Sequence, residues 1–373
     1  MKFIHTSDWH IGRLFHNISL LEDQEYILEQ IIGYAKKESV DAVVIAGDIY
    51  DRSVPPASAV DLLDRVLNTI CTDLNIPILL IPGNHDSAER LRFGSSLMKS
   101  SGLYIFGDLA KITMPVHIKG VDFYGIPYAD PDTVKSQFQE QVNTHNEAHK
   151  FLIERIREAL KPKAMNVLIS HCFIDGGESS ESERPLSIGG AECVNYEMFS
   201  EFDYVALGHL HSPQYRGRET VRYSGSIMKY SFSEIKQKKG ITLVEIEGNN
   251  VVHSLLPLVP KRDLSLLEGE LDDLLNEGKK SKNEDYLLIR LTDQKAILDP
   301  MGQLRDVYPN VLHIEKIILQ DSGKQIQNSA KLKRSEIDMF RDFYEQVSKK
   351  SLTEDQNKII IDTISELLTK RGD

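Results

Sequence analysis

The sequence predicts an α/β fold in which two sheet layers are flanked by helices. Short apolar runs alternate with helically spaced apolar residues through residues 1–81, the pattern of a parallel sheet with crossover helices. The polar motifs stand just past the carboxyl ends of those runs, where open α/β sheets place their ligands. Further strand-like runs continue to residue 257, so residues 1–257 read as one core domain.

Taken in order, residues 2–7 form a short apolar run ending at Asp8, and apolar spacing predicts a helix over 21–37. The run 41–46 ends in Gly47-Asp48, a helical pattern covers 57–74, and the run 77–81 ends in Gly83-Asn84-His85-Asp86. Three short strands are expected over 103–106, 111–118 and 121–127, then a long helix over roughly 134–160. The strand 166–170 leads to His171, and the strand 202–207 to Gly208-His209-Leu210-His211, with a polar Gly/Ser/Glu loop at 175–190 between them. Strands at 221–224, 240–247 and 250–257 close the domain.

Pro257 and Pro260 mark a boundary. Residues 258–322 are expected to form a small α+β unit: an acidic helix near 263–277, strands at 285–292 and 311–318, and a helix near 299–307. A polar, basic linker over 323–334 precedes two amphipathic helices in 335–373. The first carries Ile337, Phe340 and Tyr344 on one stripe; the second carries Ile360, Ile364 and Leu367 behind a Thr353–Gln356 capping box. Two short helices are marginal alone, and their place after a polar linker favours an outside partner for those stripes.

The formal net charge is −12, which by itself argues mildly against nucleic acid. A pair of dications at one site would outweigh that sum locally. No run reaches the roughly 20 apolar residues of a membrane helix, so no membrane association is expected. The first residues run straight into motif residues without a signal-peptide core. Cys71, Cys172 and Cys193 form no metal-type pair and read as reduced thiols, so a cytoplasmic protein is expected.

The chemistry lies in Asp8-Trp9-His10, Gly47-Asp48, Gly83-Asn84-His85-Asp86, His171 and Gly208-His209-Leu210-His211. Carboxylate, amide oxygen and imidazole suit manganese, iron or zinc. A two-metal site needs about seven protein ligands, and Asp8, His10, Asp48, Asn84, His171, His209 and His211 supply them, with Asp48 as the natural bridge. Residues two apart share a strand face, so Asp8 with His10, and His209 with His211, are expected to reach one cavity if the chain stays extended. The glycines before Asp48, Asn84 and His209 suit close backbone approach. His85 remains as the catalytic group that touches the scissile phosphate or protonates the leaving oxygen, with Asp86 expected on its other nitrogen.

These motifs resemble the calcineurin-like metallophosphoesterases and, within them, the bacterial SbcD family of nuclease subunits. The run 202–214, Arg222–Ser226 with Lys229–Glu234, and Gly176–Ser179 through Gly189-Gly190 carry the finer likeness. It spans nearly the whole chain: strongest in 1–257, diffuse in 258–330, visible again in the tail. It implies a four-layer αββα sandwich with a capping domain and a C-terminal helical pair. It also implies manganese-dependent cleavage of DNA at duplex ends, single strands and hairpins, a homodimer, and an SbcC-like SMC-type ATPase bound through 335–373. By motif, Asp8, His10, Asp48 and His211 would hold one ion, and Asp48, Asn84, His171 and His209 the other, with His85 catalytic. Arg13, Arg52 and Arg90 are candidate substrate-binding groups; Arg52 stands where some relatives have histidine. Ile227-Met228 replaces an expected proline. The metal motifs alone leave a second reading open, a phosphatase or phosphodiesterase for small molecules or phosphoproteins.

Overall fold

Strand residues in this chain alternate between two apolar environments, and that alternation builds the layers. In the strand Ala42–Ala46, Val43 and Ile45 join a core with helix residues Ile27, Leu28, Ile31, Leu62 and Val66. Ala42, Val44 and Ala46 turn the other way and meet Phe123, Val167, Ile169, Tyr204 and Ala206. Successive side chains of a strand point to opposite faces, so a strand apolar on both sides lies between two layers.

The computed structural model describes residues 1–161, 164–183, 193–295 and 297–316, with 352–353, 356–357 and 359–360. Residues Met1–Ile317 form one compact unit and Ile318–Asp373 a second. In the first unit, one six-stranded sheet runs Asn250–Pro257, Gly240–Glu247, Lys2–Thr6, Ala42–Ala46, Ile78–Ile81, Leu103–Ile105. The other runs Gln214–Arg216, Arg218–Tyr223, Tyr204–Gly208, Met165–His171, Val121–Ile126, Val116–Ile118. The central strands of each are parallel. Helices Leu21–Lys37 and Ala57–Asn68 cover the first sheet, and Pro131–Phe138 and His145–Arg157 the second. The result is an αββα sandwich. Between the sheets, Phe3 meets Phe123 and Tyr204 edge-on at 5.5 and 5.7 Å. His5 is buried there, bonded to the Tyr204 hydroxyl and the Leu207 carbonyl.

Several expected elements are corrected. The helix expected over 134–160 is two helices, because Gln139 turns left-handed at φ 56° and Thr144 starts a new helix by accepting the Glu147 N–H. The acidic helix expected near 263–277 is a strand, Leu264–Gly269, followed by a helix, Leu271–Lys280. Leu264–Gly269 pairs in parallel with Tyr286–Leu291, and a short apolar run takes the structure its ladder partner offers. Only Val116–Ile118 of the run 111–118 is strand. The hairpin Leu14–Phe15 with Ile18–Ser19 is an addition to the expected elements.

Residues 264–316 carry their own three-stranded sheet and a core that includes Leu274, Leu287, Ile289 and Leu304. This sheet is tied to the sandwich where Arg262 and the Tyr286 hydroxyl meet buried Asp23. In the second unit, Thr353 and Gln356 each accept the other's backbone N–H, at 3.3 and 3.0 Å, which is the expected capping box. Ile360 is helical and half-buried. The linker 323–334 and Ile337, Phe340, Tyr344, Ile364 and Leu367 lie outside the described residues.

Candidate metal centre

The carboxyl ends of both sheets converge on one edge, and short backbone contacts hold them there. A Cβ on Gly208 would stand 1.9 Å from the Ala46 carbonyl, and one on Gly47 (φ +91°) would stand 2.3 Å from His171 Nδ1. Only glycine permits this approach. Past the strand Lys2–Thr6 the loop is zipped to its neighbour: the N–H groups of Asp8 and His10 donate to Gly47 and Asp48 carbonyls at 3.0 and 2.9 Å.

Extended geometry does not persist beyond the strands. Asp8, His10, Asp48 and His209 have φ of 52°, 46°, 49° and 109°. These are costly conformations for residues with a Cβ, and such strain gathers at functional sites. The expected convergence holds, but the left-handed turns produce it rather than strand alternation.

Asp48 Oδ2 is the focus. It lies 3.5 Å from His171 Nε2, 3.7 Å from His10 Nε2 and 4.0 Å from His85 Nε2. On one side, Asp8, His10 and His211 bring ligand atoms together, with His10 and His211 facing through their Nε2 atoms at 3.1 Å. On the other, Asn84 Oδ1 faces His171 Nε2 at 2.9 Å and His209 Nδ1 at 3.2 Å. The seven expected ligands and His85 thus share one cluster. Asp8, His10, Asp48, His171, His209 and His211 are all buried.

Burial pushes His10 and His211 down and His209 to about 3, so these rings are neutral and offer lone pairs. Burial also lowers His171, but the Asp48 charge and hydrogen bond win and raise it to about 9. Burial raises Asp8 to about 8, with Asp48 adding to the effect. Asp48 itself is held well below the carboxylate range by His171, His10 and His85, against the upward push of burial.

Divalent cations fit this donor set. Buried carboxylates and facing imidazole nitrogens are costly without positive charge between them. His10 Nδ1 and Asn84 Nδ2 are buried without a hydrogen-bond partner, so both side chains are oriented by their other atoms, the ones turned into the cluster. His171 Nδ1 donates to the Ala46 carbonyl at 2.9 Å, which leaves Nε2 as the ligand atom.

Several supporting residues carry no motif signal of their own. Buried Glu234 Oε1 lies 3.3 Å from His211 Nδ1, and its Oε2 pairs with buried Lys239 at 2.6 Å. Ser182 Oγ lies 2.7 Å from His211 Nδ1, and Glu183 accepts the His211 N–H at 2.7 Å. Burial raises Glu183 to about 7. Gln24 Nε2 donates to the carbonyls of Trp9 and His10. Glu234 ends the run Lys229–Glu234 and Glu183 sits in the 175–190 loop, so the sequence marked the segments but not their roles.

The expected Asp86–His85 pair is corrected. Asp86 accepts from the N–H groups of Gly83, Ile49 and Tyr50, bracing the loops. His85 Nδ1 donates instead to the Asp51 carbonyl at 2.8 Å. Of the candidate arginines, Arg13 reaches the rim: it donates to Asp51 Oδ1 and the Ser182 carbonyl and lies over the Tyr230 ring. Arg52 and Arg90 are exposed, and among the described residues neither bonds to the cluster.

The sequence profile of the calcineurin-like phosphoesterases matches residues 1–213, and that described as the type 5 capsule protein repressor C-terminal domain matches 260–348. The D subunit of the nuclease SbcCD from Staphylococcus epidermidis is 38% identical, with 100% of both chains covered. The chain belongs to the SbcD family of calcineurin-like phosphoesterases. Among solved structures, a dimetal phosphatase from Danio rerio matches with TM-score 0.41 and 12% identity over 69% of this chain and 96% of that one. TT1561 of Thermus thermophilus matches with TM-score 0.40 and 13% identity over 68% and 98%. Membership of the SbcD family implies divalent metals, in keeping with the donor cluster around Asp48. Among the described residues, no helix is long and apolar enough to cross a membrane.

Proposed function

We propose that this SbcD-family chain is a DNA nuclease subunit that cleaves phosphodiester bonds at two divalent ions, manganese in the cell. The observation that carries the reading is the convergence on Asp48 Oδ2 of His10, His171 and His85 from three separate segments. Asp8, His10, Asp48 and His211 would hold one ion; Asp48, Asn84, His171 and His209 would hold the other. When bound, the pair supplies electrophilic activation of the phosphate and acidifies water.

The chain's own groups do the rest. Because the Asp51 carbonyl can only accept, His85 carries its proton on Nδ1 and presents Nε2 toward the Asp48 side. Its side chain is 13% exposed where Asp48 is 3%, so His85 is the group a substrate meets first. It is placed to bond the scissile phosphate or to hand a proton to the departing oxygen. Arg13, fixed by Asp51 and stacked on Tyr230, offers a cation at the rim.

The reading extends to an SbcC-like SMC-type ATPase bound through 335–373, a homodimer of nuclease subunits and a cytoplasmic location. Its support is full-length identity to a protein named as one subunit of a two-part nuclease. The test is cleavage of duplex-end, hairpin and single-stranded DNA, with and without the ATPase, across several divalent ions, beside p-nitrophenyl phosphate and a phosphopeptide. Intact DNA throughout, with turnover of the small phosphates, would replace the nuclease reading by the phosphatase one. A chain truncated at 334 should stay folded and metal-loaded but lose the ATPase; continued co-purification would overturn the tail assignment.

A further inference from the structure

A cleft of about 390 Å³ opens beside the metal centre, between the turn at Asn84 and the segment from Tyr128 to Gln137. Its volume falls in the range of small-ligand sites, roughly 300–1,000 Å³. Asn84 is shared: its Oδ1 faces His171 and His209, and the residue also lines the cleft. Tyr128 forms part of the wall, its ring edge-on to His171 at 6.4 Å between centroids and tilted 31° to His145 at 5.8 Å. The floor of the cleft is thus aromatic and adjoins the reacting centre.

Its charge excludes a second phosphate. Asp108 and Asp130 line it, and the lining guanidinium, Arg92, lies 3.8 Å from Asp108 Oδ2. The Tyr128 hydroxyl donates to Asp130 Oδ1 at 2.8 Å, directing acceptor groups toward the mouth. Thr133 and Gln137 add polar groups from one exposed face of the helix Pro131–Phe138. The occupant that suits this lining is flat and uncharged, with N–H donors on its edge. We propose that the cleft seats the nucleobase next to the scissile phosphate, with Tyr128 as the aromatic wall and Asp130 and Gln137 as acceptors. The inference rests on the nuclease reading, since it assigns a part of the nucleic-acid substrate to a place beside that centre.

The test uses the full chain with manganese and a chromogenic diester, bis(p-nitrophenyl) phosphate, whose turnover needs neither DNA nor the cleft. Inhibition by the 3′- and 5′-monophosphates of deoxyadenosine is compared with inhibition by deoxyribose 5-phosphate, which carries no base. At least one nucleotide should inhibit roughly tenfold more tightly, in line with base stacking on an aromatic side chain. That ratio should collapse in Tyr128→Ala, survive in Tyr128→Phe, and collapse in Thr133→Trp, which fills the cleft from an exposed helix face. Bound metal and melting temperature report whether each variant is folded; Thr133→Trp carries the test if Tyr128→Ala is not. A ratio near one in the parent protein, or one unchanged in Thr133→Trp, overturns the proposal. Failure of the nuclease reading shows separately, as diester turnover with DNA left intact.

Discussion

The His85 ring donates through Nδ1 to the Asp51 carbonyl at 2.8 Å, which leaves its Nε2 4.0 Å from Asp48 Oδ2. One backbone carbonyl thus sets the tautomer of the histidine that faces the metal cluster. His85→Ala should keep its metals and lose about 10²–10⁴-fold in cleavage rate. Asp48→Ala should lose both. Metal content by plasma emission, measured beside the rate, separates the two. An empty site in His85→Ala would remove its assigned role.

Glu234 supports His211 from behind and neutralises buried Lys239. Glu234→Gln should weaken metal binding by about 10–100-fold, the usual effect of losing such a partner. It also leaves Lys239 uncompensated, at a cost of about 3–5 kcal/mol. Glu234→Met with Lys239→Met should recover much of that stability without recovering metal affinity. Titration calorimetry and denaturant melts read the two quantities separately. Equal metal affinity in Glu234→Gln and the parent would show that Ser182 alone fixes His211.

Removing the ions should destabilise the fold. An ion at about 100 times its dissociation constant contributes about 2.7 kcal/mol, so the chelated protein should melt at a lower temperature. Chelation should also expose a pH dependence. His171 is raised from 6.5 to about 9 and Asp8 to about 8 in the folded protein. A group whose folded pKa is raised loses its stabilising contribution as pH climbs toward that value. Stability of the metal-free protein should therefore fall between pH 6.5 and 9, and the loaded protein should change less. A flat profile for the chelated form would contradict these assignments.

Gly208→Ala places a Cβ 1.9 Å from the Ala46 carbonyl, which is backbone and cannot swing aside. The loss should exceed the roughly 1–3 kcal/mol of ordinary overpacking. Gly33→Ala, inside the helix Leu21–Lys37 with nothing within 4 Å, should instead stabilise by about 0.5–1 kcal/mol. Urea melts of the pair check the contrast. Similar stabilities would mean that the sheets separate easily at this edge.

Much of this protein is legible in its amino-acid order. The runs 41–46 and 77–81 are apolar on both faces, which only a strand between two layers needs. Ligand types repeated at strand ends mark a shared site even when each fragment alone is weak. The misread elements are those with short-range ambiguity. Leu264–Gly269 has too few residues for periodicity to distinguish strand from helix, and its partner Tyr286–Leu291 decided it. The break near Gln139 rests on one left-handed residue and the Thr144 cap.

The residue types alone determined the donor set: two carboxylates, an amide oxygen and four imidazoles near glycines can serve little besides cations. Tertiary structure alone decided which atom of each ring points inward, that Asp51 rather than Asp86 holds His85, and that Glu234 stands behind His211. The reason is physical. Ligand chemistry is a property of a side chain and is written in its identity. Orientation depends on hydrogen bonds between segments far apart in the chain, such as His211 and Glu234, and those exist only once the two sheets have closed on each other.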